Sequence, residues 1–284
     1  MPAEPPIDTP RTLFEAYELL AAGPTTPIAG GTDLMVRITG ELGPIPERLL
    51  DLSRIDALRG VDLTADGLQL GAATTYTEIR RSALCREHLP ALVEAAATIG
   101  AAQIQNRGTL GGNIANASPA GDTLPILLAA DATILLGGQR GEREIRAAEF
   151  FTGYRETALA PDELILQVRF PLPQGRQLRF RKVGTRRAQA ISKVVMAVAW
   201  RDLGATGWTD VRVALGSVAP VPIRAAATEA VLEGARPTPQ VADLAAETLA
   251  GELEPIDDVR STAEYRRTVA ARVLHRVLRD VGGW

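Results

Sequence analysis

The spacing of apolar positions changes several times along the chain, and each change predicts an element. Over residues 10–22, Leu13, Phe14, Tyr17 and Leu20 share one helical face, with Thr9 as N-cap, Pro10 in the first turn and Gly23-Pro24 as the stop. Short apolar runs at residues 27–29 and 49–52 predict buried strands; the first enters Gly30-Gly31-Thr32-Asp33 and then a helix over residues 34–39. From residue 58 the pattern becomes that of a hairpin, since Val61-Asp62-Leu63 and Leu68-Gln69-Leu70 flank the turn pair Asp66-Gly67. Helices are predicted at residues 77–84, 90–98 and 123–130, and strands at 132–136 and 163–170. Residues 103–122 predict a loop. Pro171-Leu172-Pro173, followed by Gln174-Gly175, marks a domain boundary.

Beyond that boundary come strand-like stretches at residues 177–183, 193–201 and 209–216, then helical ones at 223–233, 240–250 and 262–280. The last helix carries Tyr265, Val269, Val273, Leu274, Val277 and Leu278 as a continuous apolar stripe, which predicts core packing. Strands followed by helices predict an α+β domain. No internal repeat interrupts the order.

Composition narrows the chemistry. With 46% apolar and 23% charged residues in 284, the chain has the balance of a soluble protein of two or more domains. No apolar run approaches the roughly 18 residues of a membrane span, and the opening MPAEPPIDTP has no basic or apolar leader character, so a cytoplasmic protein is expected. A net charge of −3, dispersed along the chain, argues against nucleic acid as a partner. Cys85 is the only cysteine, and His88 and His275 are the only histidines. A disulfide, a cysteine-held cluster and a Ser-His-Asp triad are therefore disfavoured, and the chemistry is expected to belong to a bound cofactor. Of the 31 basic residues only Lys182 and Lys193 are lysines, and both fall in one short segment.

Two glycine-rich stretches stand out. Gly30-Gly31-Thr32-Asp33 lies between a strand and a helix, a layout that can hold an anion. The stretch TLGGNIANASPAGD at residues 109–122 is small and polar throughout, so its backbone can approach another molecule closely, and Asp122 is expected to cap the helix that follows. Neither matches GxGxxG or GxxxxGK[ST], which leaves a Rossmann fingerprint and a P-loop unsupported. Two such loops suggest a diphosphate gripped from two sides, hence a dinucleotide.

PIAGGTDLM at residues 27–35 and the run from Ile99 through QIQNRGTLGGNIANASPAGDTLP to Pro125 together resemble the FAD-binding medium subunit of the molybdenum hydroxylases, the xanthine dehydrogenase and carbon monoxide dehydrogenase group. Further matches are ELILQVRFP at 163–171, KVGTRRAQAISKV at 182–194 and the closing EYRRTVAARVL, so the resemblance spans nearly the whole chain. It implies a vanillyl-alcohol-oxidase-type FAD-binding fold of two α/β subdomains (about 1–56 and 57–173), plus a C-terminal domain (174–284) of a three-stranded antiparallel sheet and a helical bundle.

The resemblance also implies site residues. Ala29, Gly30, Gly31, Thr32 and Asp33, flanked by Pro27, Ile28 and Leu34, would bind the FAD diphosphate through backbone N–H groups. Thr109, Gly111, Gly112 and Asn113 would hold it from the other side, with Asn116, Ala117 and Gly121 in the same stretch. Asp122 would reach ribose or ribityl hydroxyls, Ile165 would contact the cofactor through its backbone, and Lys182 would lie close to the flavin ring, where a cation stabilises the reduced form. Ile99 stands where some relatives place an aromatic over the ring, so ring packing here is expected to be aliphatic. Cys85 lies outside these motifs and is expected in the core, with FAD bound noncovalently. Lys193 has no assigned role.

As a whole, the resemblance implies an electron-transfer subunit. It would take electrons from [2Fe–2S] clusters of a small subunit, beside a large molybdopterin subunit, in a dimer of heterotrimers, and pass them to NAD, a quinone or dioxygen. The alternative is a stand-alone flavin-dependent reductase or oxidase of the same superfold.

Overall fold

Parallel strands need crossovers longer than a hairpin turn, and the opening segment contains two. The structure, a computed structural model describing residues 5–186 and 189–284, begins with β1 (Ile7–Asp8), α1 (Leu13–Ala21), β2 (Thr26–Ile28), α2 (Leu34–Thr39) and β3 (Leu49–Asp51). Its strands form a parallel sheet of order β1-β3-β2. The first helix is capped by Thr12 rather than by Thr9, with Thr12 Oγ1 accepting from the Glu15 N–H at 3.2 Å. Thr12 has an acidic residue three positions on and Thr9 does not, which is the pattern that fixes a helix start. Ala16 and Leu20 are buried, whereas Phe14, expected on that face, is 69% exposed.

The second unit is antiparallel. β4 (Val61–Thr64) and β5 (Gly67–Gly71) form the expected hairpin. Then come α3 (Tyr76–Arg81), α4 (Ala83–His88), α5 (Pro90–Thr98), α6 (Ala102–Gln105), α7 (Leu110–Asn116) and α8 (Leu124–Ala129). β6 (Thr133–Gly138), β7 (Gly141–Arg146), α9 (Ala147–Phe150), the small pair β8 (Phe151–Gly153) and β9 (Glu156–Thr157), and β10 (Glu163–Phe170) complete it. The sheet order is β4-β5-β10-β6-β7. Residues 103–122 are not the continuous loop expected: α6 ends in them and α7 lies within them, both too short and too rich in small residues to show an apolar period. β7 escapes the pattern for another reason: GEREIR is an exposed edge strand with no apolar face.

The C-terminal sheet has four strands, not three: β11 (Arg176–Val183), β12 (Val194–Asp202), β13 (Trp208–Gly216) and the two-residue β14 (Ile223–Arg224), antiparallel in that order. β14 occupies the start of the helix expected at 223–233, which shortens to α10 (Ala226–Leu232) ahead of α11 (Pro239–Glu252) and α12 (Ala263–Gly282). The run VVMAVAW in β12 is buried on both faces. Val195, Ala197 and Ala199 join Phe180 in the core shared with α5 and α8, while Val194, Met196, Val198 and Trp200 join the core under α10–α12. One sheet therefore carries a core on each side, and one of them is common to the N-terminal part of the chain. That shared core fixes the two parts against each other and brings their loops to one cavity.

Candidate functional site

The cavity has a volume of about 1040 Å³, at the upper end of the roughly 300–1,000 Å³ of ligand clefts. Its first wall is the turn after β2. Gly31 adopts φ +71°, and a Cβ on Gly30 would overlap the Arg107 carbonyl, so only glycine lets this turn lie on the Arg107-Gly108 backbone. The two glycine-rich stretches thus touch. Among the described residues, the backbone N–H groups of Gly30, Gly31, Thr32 and Asp33 donate no hydrogen bond. Such a row of unpaired donors at a cavity wall fits the oxygens of a diphosphate.

The second wall is α7 and the loop after it. Thr109 caps α7, its Oγ1 accepting from the Gly112 N–H at 3.1 Å. The Gly111 N–H donates to the Ala72 carbonyl at 2.8 Å, and a Cβ there would press on Ala72. Gly111 is thus a packing glycine whose donor is already used. Asn116 Nδ2 donates to Asp33 at 3.0 Å and Arg155 donates to Asn116 Oδ1 at 3.0 Å, tying the loops to each other and to the β8–β9 turn. Asn113 accepts from the Thr123 hydroxyl at 2.6 Å.

The third wall joins the two parts of the chain. Asp122 does not cap α8: Thr123 holds that position, with no side-chain cap. The Asp122 carboxylate instead accepts from Lys182 Nζ at 2.6 Å and from the Ser192 hydroxyl, one donor to each oxygen. Burial pushes the Asp122 carboxyl above its usual range, with Lys182 and Ser192 opposing that rise. Beyond Ser192, the Ser217 hydroxyl donates to the Ser192 carbonyl, and Arg266 donates to the Ser217 carbonyl at 2.8 Å and to Asp258 at 2.8 Å.

Two family models cover this architecture. Residues 7–173 match the FAD binding domain in molybdopterin dehydrogenase, and residues 179–281 match the CO dehydrogenase flavoprotein C-terminal domain. The chain belongs to the FAD-binding medium subunits of the molybdenum hydroxylases. It is 30% identical to the glyceraldehyde dehydrogenase medium chain of Sulfolobus acidocaldarius, over 95% of each chain. It is 31% identical to the xanthine dehydrogenase FAD-binding subunit of Escherichia coli, over 96% of this chain and 95% of that one. The structure of the carbon monoxide dehydrogenase of Hydrogenophaga pseudoflava superposes with a TM-score of 0.92 at 31% identity, covering 97% of this chain and 96% of that one.

In this FAD subunit, most of the expected site residues meet at the cavity: Pro27 to Leu34 on the first wall, Thr109, Gly112, Asn113 and Asn116 on the second, and Ile99, Gly121 and Asp122 beside them. Gly111, Ala117, Ile165 and Lys182 do not line it. Ala117 ends α7 in the left-handed region at φ 45°, and Ile165 is buried on β10. Lys182 sits behind Asp122. Tyr76, Tyr154, Arg155, Ser192, Ser217 and Arg266 line the cavity without having been expected there. Arg266 was legible in principle, because it falls on the same face of α12 as buried Ala270, Leu274 and Val277, where an arginine needs a polar destination. Cys85 is buried in the core, as expected. Among the described residues, no group of three or more His, Cys, Asp or Glu side chains is placed to hold a metal ion.

Proposed function

We propose that this chain is the electron-transfer subunit of a molybdenum-containing dehydrogenase, receiving electrons from [2Fe–2S] clusters of a small subunit and delivering them to an external acceptor. The observation that carries the proposal is the row of unpaired N–H groups from Gly30 to Asp33, in a turn that lines a cavity of about 1040 Å³. FAD, when bound, supplies a carrier that exchanges electrons singly or in pairs. The protein's part is to hold it noncovalently. The turn from Ala29 to Leu34 holds the diphosphate, with Pro27 and Ile28 leading into it, and Thr109, Gly112, Asn113, Asn116 and Gly121 close the other side. Ile99 supplies an aliphatic surface for the ring. Gly111, Ala117 and Ile165 support the wall from behind.

On this reading the chain divides at residues 173/174, with the first part itself divided near residue 56, and the fold is of the vanillyl-alcohol-oxidase type. The parallel sheet, the five-stranded sheet and the C-terminal sheet support that division. The substrate is oxidised at molybdopterin in a large subunit, and two such heterotrimers pair in the cytoplasm. None of the described helices is long and apolar enough to cross a membrane.

Copurification from the native host, with molybdenum, iron and flavin measured in each fraction, tests the proposal. All three are expected to coelute with two further chains. A flavoprotein that elutes alone and is reduced by an organic substrate without partners would instead establish a stand-alone reductase or oxidase.

A further inference from the structure

Lys182 and Asp122 form a buried ion pair, with 6% and 10% of their side chains exposed and 2.6 Å between Nζ and Oδ2. Only one of the two reaches the cavity: Asp122 lines it and Lys182 does not. The ammonium donates also to the carbonyl of Thr98, which does not line the cavity, at 3.3 Å. The cations that line the cavity are arginines, Arg37, Arg155, Arg186, Arg260 and Arg266. Burial of one charge without its partner is costly, and here the partners come from different parts of the chain, Asp122 from the loop before α8 and Lys182 from the end of β11.

We infer that Lys182 is a positioning residue that acts on the flavin only through Asp122: it cancels a buried carboxylate at the cavity wall and is not itself the cation that stabilises reduced flavin. The inference rests on the FAD reading above for its redox consequence. Cancelling the charge matters because an unpaired carboxylate beside the cofactor would oppose the gain of electrons and lower its potential. Ser192, donating to the other carboxylate oxygen, fixes the orientation of the pair.

A double-mutant cycle separates this role from direct contact. The midpoint potential of bound FAD and the thermal midpoint are measured on the full chain for wild type, Lys182→Met, Asp122→Asn and the double variant. Lys182→Met is expected to lower the potential and Asp122→Asn to leave it close to wild type, because a lysine that acts only through Asp122 has no effect once the carboxylate is gone. The double variant, in which neither charge remains, is expected to return close to the wild-type potential and to melt above Lys182→Met. A double variant whose potential stays as low as that of Lys182→Met overturns the inference, because the lysine then acts on the flavin directly. A Lys182→Met potential equal to wild type overturns it too. If Lys182→Met does not fold, the double variant alone decides, since action through Asp122 leaves its potential close to wild type and direct action leaves it lower. Wild-type protein that binds no FAD would refute the cofactor assignment instead, and the thermal cycle would still show whether the pair is coupled.

Discussion

Gly30→Val is expected to give a folded chain that no longer retains FAD. The added Cβ would overlap the Arg107 carbonyl, and the turn can relieve the overlap only by lifting off the Arg107-Gly108 backbone. Lifting it moves the unpaired N–H groups of Gly31, Thr32 and Asp33 at the cavity wall. Hydrogen bonds to charged groups contribute about 1.5–3 kcal/mol each, so losing two weakens binding by at least about 100-fold. The core under this turn does not depend on it, since α2 has no buried residue. Circular dichroism is therefore expected to match wild type, while FAD titration followed by flavin fluorescence shows the loss. Wild-type affinity in Gly30→Val would remove the first wall from the site.

The second large effect concerns the seam between the two parts of the chain. Asp210 on β13 faces Arg176, Arg201 and Arg212, and Arg212 also reaches Asp131, which follows α8 and is paired with Arg146. Arg176 and Arg212 are mostly buried, with side chains 11% and 12% exposed. Asp210→Ala leaves those arginines facing one another with Asp131 as the remaining anion of the cluster. Breaking a buried pair costs about 3–5 kcal/mol, and the partial exposure of Asp210 reduces this to about 2 kcal/mol.

The loss should depend on pH. Burial alone would raise the Asp210 carboxyl, but the hydrogen bond from Arg176 and the charges of Arg212, Arg176 and Arg201 outweigh it and hold the carboxyl below its usual range. Asp131 is likewise held low against burial by Arg146, Arg212 and Arg176. A carboxyl depressed in the folded state contributes stability that is complete above its unfolded pKa, near 3.9, and is lost as pH falls through the lower folded value. Chemical unfolding of wild type and Asp210→Ala is thus expected to differ by the full amount at pH 7, with the difference shrinking progressively as pH falls below about 4 towards the lower folded value. A difference that is constant down to pH 2 would contradict this account of the seam.

Much of this arrangement was legible in the sequence, and the exceptions share physical causes. The hairpin around Asp66-Gly67, the long strands β10 to β13 and the apolar stripe of α12 from Val269 onwards follow from turn chemistry and strong periodicity, whereas Tyr265, expected in that stripe, is 41% exposed. β7, β8 and β9 have no apolar period because they lie at an edge or in a two-residue pairing. β14 is held by two residues of pairing to β13, a tertiary contact that local pattern cannot register. In the site, Gly30 and Gly31 were visible because only glycine meets their backbone demands. Lys182, expected close to the flavin ring, does not line the cavity, and Asp122, expected as a helix cap, is its ion-pair partner. Both depend on a partner about 60 residues distant. Arg155 and Ser192 were missed because nothing in their local sequence sets them apart from surface residues.

FAD held in the cavity between the two glycine-rich stretches and the loops of the C-terminal sheet should travel with the purified protein. The flavin content of the purified full chain tests it most directly, with absorbance taken before and after acid precipitation. About one FAD per chain is expected, released into the supernatant by acid, with Gly30→Val purified colourless. A colourless wild-type protein that also rejects added FAD would contradict it.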